Sequence, residues 1–192
     1  NSGYQANVGI ISCLLDKQDA IFADKYSHAS LLDGIKLSGA KLFRFKHNNI
    51  SHLEELLKKH RHKFSNALII TESIFSMDGD KAPLKEISQL KTKYNCLTLV
   101  DEAHATGLFG ENGSGLVNET NTTTNTDLIV GTFGKALGGF GAYVACSEEI
   151  KHFLINSCRS FIYSTALPPA VSAWNLESIN MLYKEPERRQ SV

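Results

Sequence analysis

Leu97-Thr98-Leu99-Val100-Asp101-Glu102-Ala103-His104 is a short apolar run that ends on a carboxylate. A run of this length, rich in branched residues and bounded by polar ones, reads as a buried strand over 97–101. The same reading applies to Leu128-Ile129-Val130-Gly131-Thr132, which opens into Phe133-Gly134-Lys135-Ala136-Leu137-Gly138-Gly139. Working outward, further strands are expected at 20–23, 41–45, 67–71 and 142–146. Between them, 30–37, 52–59 and 84–94 carry apolar residues at helical spacing, and 8–15 reads as helical too. Alternation of this kind implies crossover units: an α/β fold with a mostly parallel sheet flanked by helices. In such sheets the ligand crevice lies at the carboxyl ends of the strands, where Asp101 and the loop carrying Lys135 both fall.

The bulk properties narrow the classes. The chain has 192 residues, 42% hydrophobic and 21% charged, which is ordinary globular composition for one domain. Lys plus Arg and Asp plus Glu are equal at 20 each, so nothing draws the chain toward nucleic acid or an anionic membrane. No apolar run reaches membrane-spanning length, and Asn1-Ser2-Gly3-Tyr4 is no signal-peptide start. Cys13, Cys96, Cys146 and Cys158 lack metal or redox spacing, so thiols in a reducing cytoplasm are expected, buried at Cys96 and Cys146. Ser147 reads as an N-cap ahead of Glu148 and Glu149, Pro168-Pro169 as the opening of a last helix through 174–183, and 121–125 as a polar surface loop. Glu187-Arg188-Arg189-Gln190 reads as a helix in progress, so the chain reads as part of a longer protein.

Lys135, flanked by Gly134 and the Gly138-Gly139-Phe140-Gly141 stretch, has room beside it for a flat ligand. A nucleotide P-loop fails, because Ala136 follows the lysine, and no Gly-x-Gly-x-x-Gly stands at a strand-to-helix turn. One cofactor, pyridoxal 5'-phosphate, needs an amine for a Schiff base, a carboxylate against its ring nitrogen, and hydroxyls and amides around its phosphate. Lys135 and Asp101 supply the first two, and buried Asp101 needs such a partner, or else a cap or ion pair. His104 could reach the phenolic oxygen, or cap a turn. Thr132 could meet phosphate, or be an ordinary strand threonine. The amides at Gly3 and Tyr4, taken to precede a helix, could also receive phosphate. His28 is a candidate for stacking on a flat ring, and Ser76 lies in a turn-rich segment after a strand; capping and turn chemistry are their simpler readings. The basic run 58–63 reads as a solvated helix terminus.

Five segments, in order, resemble the α-oxoamine synthases, pyridoxal-phosphate enzymes of the aspartate aminotransferase-like fold. They are Ser27-His28-Ala29-Ser30-Leu31, Phe75-Ser76-Met77-Asp78-Gly79, Asp101-Glu102-Ala103-His104, Gly110-Glu111-Asn112-Gly113-x-Gly115 and Thr132-Phe133-Gly134-Lys135. The resemblance implies that 1–192 is the large, cofactor-binding domain, with the family's amino-terminal segment and carboxyl-terminal small domain lying outside it. It also implies roles. Lys135 would form the Schiff base, Asp101 would pair with the pyridine nitrogen, His104 would touch the phenolic oxygen and His28 would stack on the ring. Ser76 would contact the cofactor, while Thr132, Gly3 and Tyr4 would hold its phosphate. Ser164-Thr165 would reach a neighbouring subunit's phosphate, so a homodimer is implied. Ala105 stands where the family often has Gly. Asp78-Gly79-Asp80-x-Ala82-Pro83-Leu84 and Ile162-Tyr163-Ser164-Thr165-Ala166-Leu167-Pro168-Pro169 look most like the biotin-pathway member, which condenses L-alanine with a pimeloyl group carried on coenzyme A or a carrier protein. The alternatives are the member that joins glycine to acetyl-CoA and a catalytically inactive fragment.

Overall fold

The computed structural model describes residues 1–191. In chain order the elements are α1 (Gly3–Leu14), β1 (Ala20–Asp24), α2 (Ala29–Ser38), β2 (Lys41–Phe45), α3 (Ile50–His60), β3 (Ala67–Glu72), α4 (Leu84–Tyr94), β4 (Leu97–Asp101) and α5 (Leu116–Glu119). Then follow β5 (Leu128–Thr132), β6 (Ala142–Cys146), α6 (Glu148–Ser157), α7 (Arg159–Ile162), α8 (Pro169–Lys184) and α9 (Glu187–Gln190). The six strands form one sheet in the order β2-β1-β3-β4-β5-β6. Every pair is parallel except β5 with β6. The α/β expectation holds, with one antiparallel edge.

The central strands are buried on both faces because all but their carboxyl-terminal residues and Thr98 are apolar. Ile21, Ala23, Leu68, Ile70, Leu99 and Val130 pack with Ile10 and Ile11 of α1, Leu31 and Ile35 of α2, and Leu154 of α6. Their neighbours one residue along, Ala20, Phe22, Ala67 and Ile69, turn to the other side and meet Leu53 and Leu57 of α3 and Ile87 and Leu90 of α4. The alternation follows from the two-residue period of a strand. The chain runs from β2 past β1 to β3, so the order in which strands are added reverses between β1 and β3 while the strands stay parallel. Loops leaving the carboxyl ends on either side of that reversal part there and open a crevice.

Helix ends fall where capping chemistry allows. The side chains of Ser2, Asn49 and Ser147 accept from Gln5 N, His52 N and Ile150 N. Ser2 therefore starts α1 at Gly3, five residues before the expected start, and Gly3 and Tyr4 lie in the first turn rather than before it. Pro169 opens α8 as expected, but Glu185 and Pro186 separate α8 from α9, so 187–190 is a short helix of its own. The expected surface loop 121–125 contains a 3-10 turn at Thr123–Asn125, and Thr122 is buried, its hydroxyl donating to the Val117 carbonyl at 3.2 Å. Cys96 is buried, whereas Cys146 is only half-buried because β6 is an edge strand; all four cysteines are free thiols. The basic run 58–63 ends α3, and the Arg61 guanidinium donates to the carbonyls of Phe64 and Asn95 at 2.8 and 3.0 Å.

Candidate active site

A cavity of about 170 Å³ opens at the carboxyl ends of β3, β4 and β5 and is closed on one side by the start of α1. Lys135 enters it from the loop after β5, and Asp101 from the end of β4. The Lys135 amine lies 2.7 Å from His104 Nε2. Burial pulls the pKa of Lys135 down, against the pull of Asp101 and Glu72. His104 is lowered too, by burial and then by Lys135. Burial thus disfavours the charge on both groups, the amine adds to the effect on the imidazole, and a neutral amine beside a neutral imidazole becomes accessible nearer to neutrality than for a free lysine.

Asp101 is 6% exposed, and both of its oxygens are engaged. Oδ1 accepts from Ala103 N at 2.9 Å and Oδ2 from Asn7 Nδ2 at 2.7 Å. These donors hold the carboxylate in one orientation and leave it lone pairs for a cationic donor in the cavity. Thr132 also lines the cavity, with its hydroxyl donating to the Gly141 carbonyl at 3.0 Å and accepting from Gly134 N at 3.3 Å. Gly3 and Tyr4 present the first turn of α1, whose amides have no partner within the helix. The Tyr4 hydroxyl donates to Asp33, which raises its pKa. His28 N-caps α2, with Nδ1 accepting from Ser30 N at 3.2 Å, and its ring still lines the cavity edge-on to Tyr4.

Seven of the ten residues singled out in the sequence therefore surround one cavity. Ser76, Ser164 and Thr165 do not. Ser76 sits exposed in the turn following the bridge of Ile74 to Lys81, away from the cavity lining. Ser164 Oγ accepts from Asn1 Nδ2 at 2.7 Å and from Gln5 Nε2 at 3.3 Å, so it and Thr165 are tied to the outside of the amino terminus. Within this chain neither reaches the cavity.

Besides Ala103, three polar cavity residues escaped the sequence reading: Glu72, Asn7 and Ser30. Glu72 ends β3 in register with Asp101 and is 3% exposed. Burial, and then the Asp101 charge, raise its pKa to about 7. Its Oε1 accepts from His28 N at 2.7 Å. Asn7 joins Asp101 to Ser30, donating to Ser30 Oγ at 3.0 Å, and its own Oδ1 is buried without a partner.

This donor set suits a flat, phosphorylated, cationic-ring cofactor. An amine of lowered pKa, a fixed buried carboxylate and free helix amides converge on one space, with a buried Asn7 oxygen left unpaired at its wall.

Residues 1–192 match the model of the family described as aminotransferase class I and II. Proteins of Glaesserella parasuis and Geobacillus kaustophilus that bear 8-amino-7-oxononanoate synthase as a provisional name are 50% and 49% identical over 193 residues. Those alignments take in all of this chain but 51% and 49% of the relatives, so the chain spans about half their length. Among solved structures, serine palmitoyltransferase of S. paucimobilis with a bound PLP–myriocin aldimine aligns with a TM-score of 0.90 at 36% identity, covering 98% of this chain and 49% of that one. The 8-amino-7-oxononanoate synthase of Francisella tularensis aligns with a TM-score of 0.86 at 38% identity, covering 98% and 54%. The chain belongs to the aminotransferase class I and II family.

Proposed function

We propose that this chain is the cofactor-binding part of a pyridoxal-phosphate-dependent acyltransferase. The reaction is the decarboxylative condensation of L-alanine with a pimeloyl thioester, giving 8-amino-7-oxononanoate, carbon dioxide and the free thiol. One observation carries the reading: Lys135, His104 and Asp101 converge with the start of α1 on a single cavity. The relatives at about half identity, with their provisional name, support the choice of substrates.

When bound, pyridoxal phosphate supplies an aldehyde that captures an amine and a ring that takes up electrons as a bond to the α-carbon breaks. The protein does the rest. Lys135 would be the attachment point and would also serve as the base toward the α-proton; its lowered pKa favours the neutral amine that both tasks need. His104, 2.7 Å from that amine, holds it in place between the two tasks. Asp101 would keep a proton on the ring nitrogen, and the Asn7 and Ala103 donors hold the carboxylate in one orientation for that task. His28 would cover the ring, while Gly3, Tyr4 and Thr132 would hold the phosphate. Ser76 stands outside the cavity, and Ser164 and Thr165 would serve a partner subunit's phosphate in a homodimer. Among the described residues no helix is long and apolar enough to cross a membrane, and the relatives from Glaesserella parasuis and Geobacillus kaustophilus are bacterial; we infer a cytoplasmic enzyme.

The test uses the full-length protein. Incubation with pyridoxal phosphate followed by borohydride should leave a covalent adduct on the peptide bearing Lys135. Lys135→Ala should lose the adduct and at least about 10³-fold in turnover. An adduct on another lysine, or turnover retained in the variant, overturns the assignment.

A further inference from the structure

Helix α8 is exposed along most of its length, and Asn175 is its one buried residue, at 6% exposure. A buried amide on a solvated helix demands a polar partner. It has two, both on one residue of the glycine-rich loop after Lys135. Asn175 Nδ2 donates to the Phe140 carbonyl at 2.8 Å, and Oδ1 accepts from Phe140 N at 3.3 Å. The side chain thus pairs with the loop backbone as a neighbouring strand would. One residue earlier, Trp174 Nε1 donates to the Gly138 carbonyl at 3.1 Å.

The loop they grip is otherwise tied mainly to itself. Gly138 N donates to the Lys135 carbonyl at 2.9 Å, Gly139 N to Phe133 O at 2.7 Å, and Phe133 N to Gly141 O at 3.0 Å. Lys135 therefore stands on a closed lasso whose far side is held by α8. Gly139 fits because it has no side chain: a Cβ there would lie 2.2 Å from Asn175 Oδ1.

We propose that Asn175, assisted by Trp174, is a positioning residue that fixes the height and direction of the Lys135 amine through the Gly138–Phe140 backbone. The inference rests on the reading of Lys135 as the cofactor lysine. It adds that the set of this lysine depends on α8, an element with no residue in the cavity. Without the clamp the lasso stays closed by its own hydrogen bonds but is free to tilt. The amine then spends less time beside His104 and under the burial that lowers its pKa.

The test compares the full-length protein with Asn175→Ala, Gly139→Ala and the exposed control Glu177→Ala, all without cofactor. Hydrogen exchange should be about tenfold faster at the Phe140 amide in Asn175→Ala, with the β4 amides unchanged. The pH profile of Lys135 acetylation should move upward, toward an ordinary lysine. Gly139→Ala should reproduce both effects, and Glu177→Ala neither. Unchanged exchange and an unmoved profile in Asn175→Ala would overturn the clamp, as would faster exchange throughout the sheet, which marks general destabilisation. Borohydride trapping on the unmodified protein separates the two readings. If no adduct forms on Lys135 there, the cofactor reading fails whatever the clamp does.

Discussion

At the scale of single residues, the most exacting position is Glu102. It has no exposed surface, and its Oε1 accepts from Val117 N at 2.8 Å, while Oε2 has no partner. Space for that oxygen exists only because residue 115 is a glycine with φ of 103°; a Cβ there would lie 1.6 Å from Oε2. Burial raises the Glu102 pKa from 4.5 to about 7, against the pull of the Val117 amide. The folded state therefore holds a proton that the unfolded chain releases, and stability falls as pH rises from the ordinary glutamate value through about 7. Glu72, also raised to about 7, acts with the same sign. A shift of that size is worth on the order of 3 kcal/mol. Glu102→Gln keeps the acceptor for Val117 and removes the titration. Urea unfolding should show the variant matching the parent near pH 4.5 and exceeding it by roughly 2 kcal/mol at pH 8. An unchanged difference across that range would refute the argument. The sequence displayed this chemistry unevenly. Asp101 was visible because it ends an apolar run, and Glu72 ends Ala67-Leu68-Ile69-Ile70-Thr71 in the same way, so the signal that found one carboxylate was present for the other. Asn7 and Asn175 gave no such sign, since their partners lie 94 and 35 residues away.

Among the elements, strands were more legible than helix starts, and the reason is physical. A buried strand needs a continuous apolar run, and β4 and β5 begin and end at the residues that pattern marks; the edge strands β2 and β6 keep enough apolar residues, Leu42, Phe43 and Phe45 or Ala142, Val144 and Ala145, to be bounded the same way. The start of α1 is set by one capping hydroxyl, Ser2, ahead of a first turn with no apolar periodicity, so the pattern alone places it late. Loops are less legible still, as the turn beyond β3 shows. His47, just past β2, donates or accepts at both ring nitrogens: Nδ1 lies 2.9 Å from Asp24 Oδ1 and Nε2 2.7 Å from Asp80 Oδ2. Tyr26 and Phe75 pack their rings against it, each at 4.5 Å between centroids. This clip joins the ends of β1 and β2 to the segment that carries Ser76. Burial works against a charged His47, but the hydrogen bonds to Asp24 and Asp80 outweigh it and leave the pKa raised. Its contribution is therefore complete below the ordinary histidine value of 6.5 and is lost as pH rises through the elevated one. His47→Ala should lower stability by about 2 kcal/mol at pH 5.5 and by clearly less at pH 9, and should expose the segment around Met77 to proteolysis at the lower pH. Equal losses at both values would show that the ring acts by packing alone.

For the whole molecule, the two helical layers are unequal in what they leave bare. Strands β1 and β3 are covered on both faces, whereas the region from α6 onward exposes Phe153, Ile155, Phe161, Tyr163, Trp174 and Leu176. Beneath part of this surface lies a cavity of about 340 Å³, walled by Ile10, Val144, Leu154, Ile155 and Phe161. It is lined mainly by apolar side chains, and Ile155 and Phe161 are 44% and 66% exposed at its margin. Apolar surface of this extent is uncommon on a monomeric protein and is available to a hydrophobic probe. The chain as it stands should therefore bind an anilinonaphthalene sulfonate dye while fully folded, without the loss of near-ultraviolet dichroism that accompanies a molten state. Replacing Ile155 and Phe161 together by serine should remove most of the dye fluorescence. It should leave the melting temperature close to that of the parent, because side chains already exposed contribute little to folding. Fluorescence that survives the double substitution would place the bare surface away from α6 and α7, on α8, and a large fall in melting temperature would show that these two side chains belong to the core.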